Sequence, residues 1–283
     1  MTHRFQNLHY TLHILELANI TSGSLMAGSQ IERVFNVLES LASDPRGWPL
    51  LGLAEQLQIP KSATHRLLAE LMRLGYVRQN PENLRYHLST RLVAMGFRYL
   101  SRSGADIVQP VLDRLARETG ELVRLGVIEG ECQTWIAKSQ GARSGLRYDP
   151  DMGRETPLFY TASGHAWLAC MSDAEALALV ARQAVQMPAD AGPNAPRSKA
   201  ELLQYLHQAR EQGYACVEES SAVGTSAIAA VVRHPLDGRV IGVLSVAGPS
   251  ARMTRARLHE LAPTLLVFAE ELSQASQASE LFS

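Results

Sequence analysis

The sequence predicts an α+β protein in two parts. A small N-terminal module of three helices is closed by a β-hairpin, and a larger C-terminal domain carries an antiparallel sheet flanked by helices. Three observations carry this expectation. Between residues 29 and 90 the apolar pattern is helical three times over and then alternates. Beyond residue 106, strand-like runs are joined by hairpin turns with helices interspersed, which is an α+β order. The length of 283 residues, at roughly 100–200 residues per domain, accommodates two cores.

The elements follow in order. Residues 1–28 show helical spacing at Leu8, Leu12, Leu15 and Ile20, then end in the flexible run Thr21-Ser22-Gly23-Ser24. They read either as an extension upstream of a start at Met26 or as an ordered arm that packs on a partner subunit. Ser29 is an N-cap, and Glu32 completes a capping-box spacing. Ile31, Val34, Phe35, Leu38 and Leu41 make the apolar face of the first helix, which Asp44-Pro45-Arg46-Gly47 stops. A second short helix runs from Leu50 to Leu57, and Gln58-Ile59-Pro60 turns the chain. The third, from about Lys61 to Leu74, has Ala63, Leu67, Leu68, Leu71 and Leu74 on one face and Gly75 as its stop. Tyr76–Gln79 and Leu84–Leu88 then pair around the turn Asn80-Pro81-Glu82-Asn83. Helix, short helix, turn, long helix and hairpin is the winged helix-turn-helix order, assigned to residues 29–90.

Residues 91–105 read as a linker helix ending in the hinge-like Ser101-Arg102-Ser103-Gly104, and residues 106–283 as the second domain. That domain opens with an amphipathic helix, Asp106–Glu118. Strands follow at Leu122–Ile128 and Cys132–Ala137, and helices at Thr161–Met171 and Asp173–Val185. A Pro/Ala/Gly-rich surface loop spans 187–197, and Ser198–Gln212 is helical. Ala227–Arg233 and Arg239–Ala247 form a hairpin around His234–Gly238, and Thr254–Gln274 is the last helix.

Composition narrows the class. Hydrophobic residues are 46% of the chain and charged residues 19%, too apolar for disorder. The net charge of −1 hides an asymmetry: residues 1–105 carry an excess of four positive charges and residues 106–283 an excess of five negative ones. A cationic module joined to an acidic one fits a nucleic-acid contact made by the first part. Cys132, Cys170 and Cys216 are scattered, so they make neither a disulfide framework nor a metal motif, and a reducing cytoplasm fits. No apolar run approaches the roughly 18 residues of a membrane span, and the N-terminus lacks a signal-peptide core.

The third helix holds the strongest chemistry. Its first turns carry Lys61, Ser62, Thr64, His65 and Arg66 opposite the leucine face. A recognition helix needs this division: the apolar side docks on its neighbours while short polar and cationic groups reach base edges and phosphates. The helix dipole adds positive potential there. Arg78 and Arg85, with His87, sit on the wing, where backbone or minor-groove contact with double-stranded DNA is expected.

Ile31-Glu32-Arg33-Val34, Leu53-Ala54-Glu55-Gln56-Leu57, Ile59 through Leu68 and Leu74-Gly75-Tyr76-Val77 resemble the IclR family of bacterial regulators. The resemblance continues through Thr161-Ala162-Ser163-Gly164-His165-Ala166, Arg210–Ala215, Ile228-Ala229-Ala230, Gly238 to Ser245 and Gly248-Pro249, so it covers about residues 29–275. It implies a winged helix, a linker helix and a GAF-like domain for effector binding and oligomerisation. It also implies homodimers, often paired into homotetramers, on palindromic operators. Carried across by matching segment, the effector-binding positions are Gly141, Ala142, Thr161, Ala162, Gly164, Cys216, Glu218, Ala227, Ser245 and Ala247. Two departures mark this member: Val217-Glu218-Glu219 stands where the family often has an Asp, and His165 where it usually has a Lys.

The loop Gly141 to Tyr148 is informative in its own right. Arg143 and Arg147 flank small residues beside an aromatic, and guanidinium forks bind carboxylates bidentately. Arg147 is therefore expected on a small organic-acid effector, aromatic or not, against the alternative that both arginines pair with Asp149, Asp151 or Glu155. No cofactor, metal site or catalytic set is expected. His9 and His13 read as solvated, and Ser220, Ser221 and Ser226 lack a local base. A redox sensor built on the three cysteines, or an enzyme using the C-terminal domain, is the alternative class.

Overall fold

The computed structural model describes residues 29–102, 105–150, 152–183, 191–279 and 282. The arm or extension expected at 1–28 lies outside them, as do parts of the expected hinge and of the 187–197 loop. The chain divides into two compact units between Arg98 and Tyr99.

The first unit is a helix-turn-helix with a wing. Helix α1 (Gln30–Ser43) starts on the expected capping box: Glu32 N donates to Ser29 Oγ at 3.2 Å, and Ser29 N to Glu32 Oε2 at 2.6 Å. Helices α2 (Leu50–Gln56) and α3 (Lys61–Arg73) follow, then β1 (Val77–Gln79) antiparallel to β2 (Tyr86–Leu88). Val37, Leu41, Leu53, Leu67, Leu68, Leu71, Val77 and Tyr86 form its core. Ile31 and Phe35, expected inside, are 68% and 58% exposed. Helix α1 is apolar on two faces, and Val37 and Leu41 hold the buried one. Leu74 is also exposed, because α3 ends there and Gly75 turns away at φ +80°.

Helix α4 (Thr90–Arg102) runs from one unit into the next. The second unit begins with α5 (Ala105–Thr119), β3 (Leu122–Glu129) and β4 (Cys132–Gln140), then α6 (Ala162–Leu168), α7 (Asp173–Gln183) and α8 (Lys199–Gln212). It closes with β5 (Ala215–Glu218), β6 (Thr225–Arg233), β7 (Val240–Pro249) and α9 (Arg255–Ala275). The sheet order is β4-β3-β7-β6-β5, antiparallel throughout. The short edge strand β5 has no counterpart in the sequence reading, because four residues give alternation too little length.

Strand alternation sorts the side chains into two layers. Val123, Leu125 and Val127 of β3 face α5 and α9, where Leu112, Leu115, Leu265 and Phe268 complete a core. Val243 of β7 and Ala229 of β6 face α6–α8, against Leu158, Trp167, Leu202 and Leu206. The free edge of β4 is covered by residues 153–156, with Gly153 N donating to Trp135 O at 3.0 Å and Thr156 N to Gln133 O at 2.6 Å.

Candidate nucleic-acid interface and ligand cavity

On α3 the outward face is Lys61, Ser62, His65 and Arg66, all exposed, and with Leu50 they line a shallow open depression. No side chain caps the N-terminus of α3 and no acidic residue stands in its first turn, so its N–H groups keep their positive potential. Thr64 does not join this face. It is fully buried, and its Oγ1 donates to Pro60 O at 3.2 Å. Positions 64, 67, 68 and 71 lie on one helix face by their three- and four-residue spacing, so Thr64 belongs with the leucines. Arg78 is exposed on β1. Arg85 is half-buried and its Nε donates to Gly47 O at 3.0 Å, which ties the wing to the turn after α1. Arg91 caps α3, donating from Nη1 to Leu74 O at 2.8 Å while stacking on Tyr76.

The second unit holds a cavity of about 390 Å³ between the β4-β3-β7-β6 end of the sheet and the segments 148–150, 154–163 and 221–227. Of the expected positions, Thr161, Ala162, Ala227, Ser245 and Ala247 line it. The others do not. Gly141 packs so closely that a Cβ there would lie 2.0 Å from Ala116 O, and Ala142 N bonds Gln140 Oε1. Gly164 is a packing glycine under Leu158, where a Cβ would meet Leu158 Cα at 2.4 Å. Cys216 packs on the α5/α9 side of the sheet, and Glu218, in the same alternation, pairs with Arg255 at 2.6 Å. Their neighbours Ala215 and Val217 face the α6–α8 layer instead. Arg147 is exposed and outside the lining.

The cation in the cavity wall is one the sequence reading missed. Arg124 of β3 is 6% exposed, and its guanidinium sits 3.8 Å from the centroid of the Trp135 ring and 5.8 Å from that of Tyr148. Its Nε and Nη1 are buried without a hydrogen-bond partner, and burial pushes its pKa down. A signal existed: in Leu122-Val123-Arg124-Leu125-Gly126-Val127 it is a lone charge in an apolar strand.

The loop over Arg124 is held by polar contacts. Arg252 spans Glu121 (Nε–Oε1 2.5 Å, Nη2–Oε2 2.9 Å) and Leu146 O (3.0 Å). Gln140 Nε2 donates to Tyr148 O at 3.1 Å, and Lys138 pairs with Asp149 at 2.5 Å. Behind the cavity, His165 is fully buried, its Nε2 lies 2.8 Å from Phe159 O, and burial pushes its pKa down to about 4. Burial raises the pKa of all three thiols, which favours their unreactive protonated form. Among the described residues there is no His/Cys/Asp/Glu cluster able to hold a metal, and no helix is long and apolar enough to cross a membrane.

Residues 30–81 match the family profile described as IclR helix-turn-helix domain, and residues 98–274 that described as Bacterial transcriptional regulator IclR C-terminal. The chain is similar to the HTH-type transcriptional regulator XynR of Escherichia coli K12, 31% identical over 251 residues, covering 88% of this chain and 94% of that one. Its fold is similar to the crystal structure of an IclR transcriptional regulator from Alicyclobacillus acidocaldarius (TM-score 0.74, 24% identity, covering 87% of this chain and 98% of that one). It is also similar to an IclR homologue from Microbacterium hydrocarbonoxydans crystallised with 4-hydroxybenzoate (TM-score 0.69, 21% identity, covering 89% and 100%).

Proposed function

The chain belongs to the IclR family of transcriptional regulators, with a DNA-binding helix-turn-helix and a C-terminal ligand-binding domain, and from that premise we propose how it reads both ligands. Helix α3 enters the major groove of operator DNA, with Lys61, Ser62, His65 and Arg66 toward it and Arg78 of the wing on the backbone. The protein works in the cytoplasm as a homodimer or a dimer of dimers, so that two helices meet two half-sites. The effector is a small, flat, aromatic organic acid whose carboxylate lies on Arg124.

One observation carries the effector class: a buried guanidinium at the cavity wall with two unpaired nitrogens, held between two aromatic rings. A buried cation without a counter-charge is costly, and a carboxylate supplies both the charge and a bidentate match. The homologue crystallised with 4-hydroxybenzoate, an acid of this class, supports the same reading. Acid binding then shifts the dimer between a state whose helices match the operator and one whose helices do not, a coupling of about 1–3 kcal/mol in typical cases.

Calorimetry with matched benzoates, benzamides and benzylamines tests the class. Only the carboxylates are expected to bind, and they alone should change operator affinity in a gel shift. Binding confined to neutral or cationic ligands would overturn the reading.

A further inference from the structure

The unpaired polar atoms near the cavity do not end at Arg124. Buried Nε1 of Trp135, both amide atoms of Gln133 and Oγ1 of Thr156 also have no hydrogen-bond partner. Gln133 and Thr156 are fully buried, and Trp135 is nearly so. All three belong to one place. Gln133 and Trp135 stand two apart on β4, and Thr156 N donates to Gln133 O at 2.6 Å, which seats Thr156 beside it. Trp135 lines the cavity, and so do Glu155 and Pro157 on either side of Thr156.

Glycine places the amide. Gly126 pairs with Trp135 across β3 and β4, and a Cβ on Gly126 would meet Gln133 Nε2 at 2.6 Å. The Gln133 amide therefore lies over Gly126. Gly126 is two residues from Arg124 on the same face of β3, about 7 Å along the strand.

Four of the cavity hydroxyls are already engaged. Thr161 Oγ1 donates to Pro157 O, Thr225 Oγ1 to Ala222 O and Ser245 Oγ to Arg124 O, and Ser226 bonds Ser250. The buried, unpaired groups of Gln133, Thr156 and Trp135 sit together at the β4 end. They offer a matched set: an amide gives donors and an acceptor, a threonine hydroxyl gives both, and the indole N–H gives a donor. A ligand group that both donates and accepts satisfies them.

Building on the reading of Arg124 as the carboxylate anchor, we propose that Gln133, Thr156 and Trp135 form a second polar subsite of the cavity. It selects an effector that is a hydroxy acid, with its hydroxyl at the end opposite the carboxylate. Entry of that hydroxyl displaces the 155–157 segment that now closes over Gln133. The selectivity comes from the penalty of leaving buried polar groups unpaired when the ligand lacks the hydroxyl.

Calorimetry on the full-length protein tests this with 4-hydroxybenzoate, benzoate and 4-methylbenzoate, the last a shape match without the hydrogen bonds. In the wild type, 4-hydroxybenzoate is expected to bind at least about tenfold more tightly than 4-methylbenzoate. Gln133→Leu should bring the two within about threefold and leave 4-methylbenzoate affinity unchanged, with Thr156→Val acting in the same direction. Because the amide has no partner, Gln133→Leu should hold or raise the melting temperature of the free protein. A fall in that melting temperature would assign the amide to the core and overturn the proposal. So would equal affinity for the hydroxyl and methyl acids, or discrimination that survives both substitutions. Arg124→Leu separates the two layers of the argument. Acids that bind only when Arg124 is present, without preference for the hydroxyl, refute the subsite and keep the anchor. No binding of any of the three acids at millimolar concentration, or binding unaffected by Arg124→Leu, refutes the anchor itself.

Discussion

The α3 face and the C-terminal cavity each carry cations, and they do so in opposite ways. Lys61, His65 and Arg66 stand in water on the solvent side of a helix whose other side is leucine. Arg124 has left water for a place between two rings, and two of its nitrogens are unpaired. The exposed set costs the fold nothing before DNA arrives, and it exchanges small ions for phosphates when it binds. The buried arginine carries a desolvation cost in the free protein, and a single carboxylate is enough to offset a cost of that kind. A surface of the first kind gives affinity tuned by salt. A site of the second kind gives recognition of one chemical group.

Substitutions sharpen that contrast, beginning with the largest effect. Arg124→Leu should weaken acid binding by about 2–5 kcal/mol by calorimetry while the free protein melts at the same temperature or higher. A marked fall in the melting temperature would make Arg124 a structural cation and erase the contrast.

The next effect is a pH dependence. His165 has a folded pKa of about 4, below its ordinary value of 6.5, and it is wholly buried. Between those values the unfolded chain binds the proton and the folded one does not, so stability rises with pH there. Urea unfolding should show a loss of about 3 kcal/mol from this group between pH 7 and pH 4. His165→Gln should flatten that part of the curve.

A smaller change is expected at the DNA face. Arg66→Ala should cost about 1–3 kcal/mol of operator affinity and reduce the salt slope by about one, with the fold and acid affinity intact. Unchanged operator binding would remove α3 from the groove. Finest is the division within α3. Thr64→Val should cost about 1 kcal/mol of stability through its lost bond to Pro60 O, whereas Ser62→Ala should leave stability unchanged and weaken operator binding.

Much of the first unit was legible because its signals are local. The Ser29/Glu32 box, the Gly75 stop and the leucine stripe each act within one or two turns of chain. Thr64 escaped because side-chain type points to a cap or a contact, while its helix position makes it a buried group bonded to its own backbone. Ile31 and Phe35 escaped because a helix with apolar residues on two faces does not declare which face is inside. In the cavity, Thr161, Ala162, Ala227, Ser245 and Ala247 were found by segment likeness. Cys216 and Glu218 belong to the same kind of segment and lie outside the lining, because β5 turns alternate residues to opposite sides of the sheet. Arg147 was chosen for its loop and is exposed, whereas Arg124 was hidden in a strand read as core.

The sequence by itself determined the two-part α+β architecture, the helix-turn-helix with its wing, and the cationic first turns of α3, since helical period, caps and turns are written in neighbouring residues. Only the tertiary structure decided which cation stands in the cavity wall. Arg124, Trp135 and Tyr148 come from β3, β4 and the loop after it, and strand register together with the bulge between Leu125 and Gly126 sets them in contact. Register is a relation between distant segments, and one residue of slip in β3 or β4 would turn Arg124 or Trp135 to the other face of the sheet.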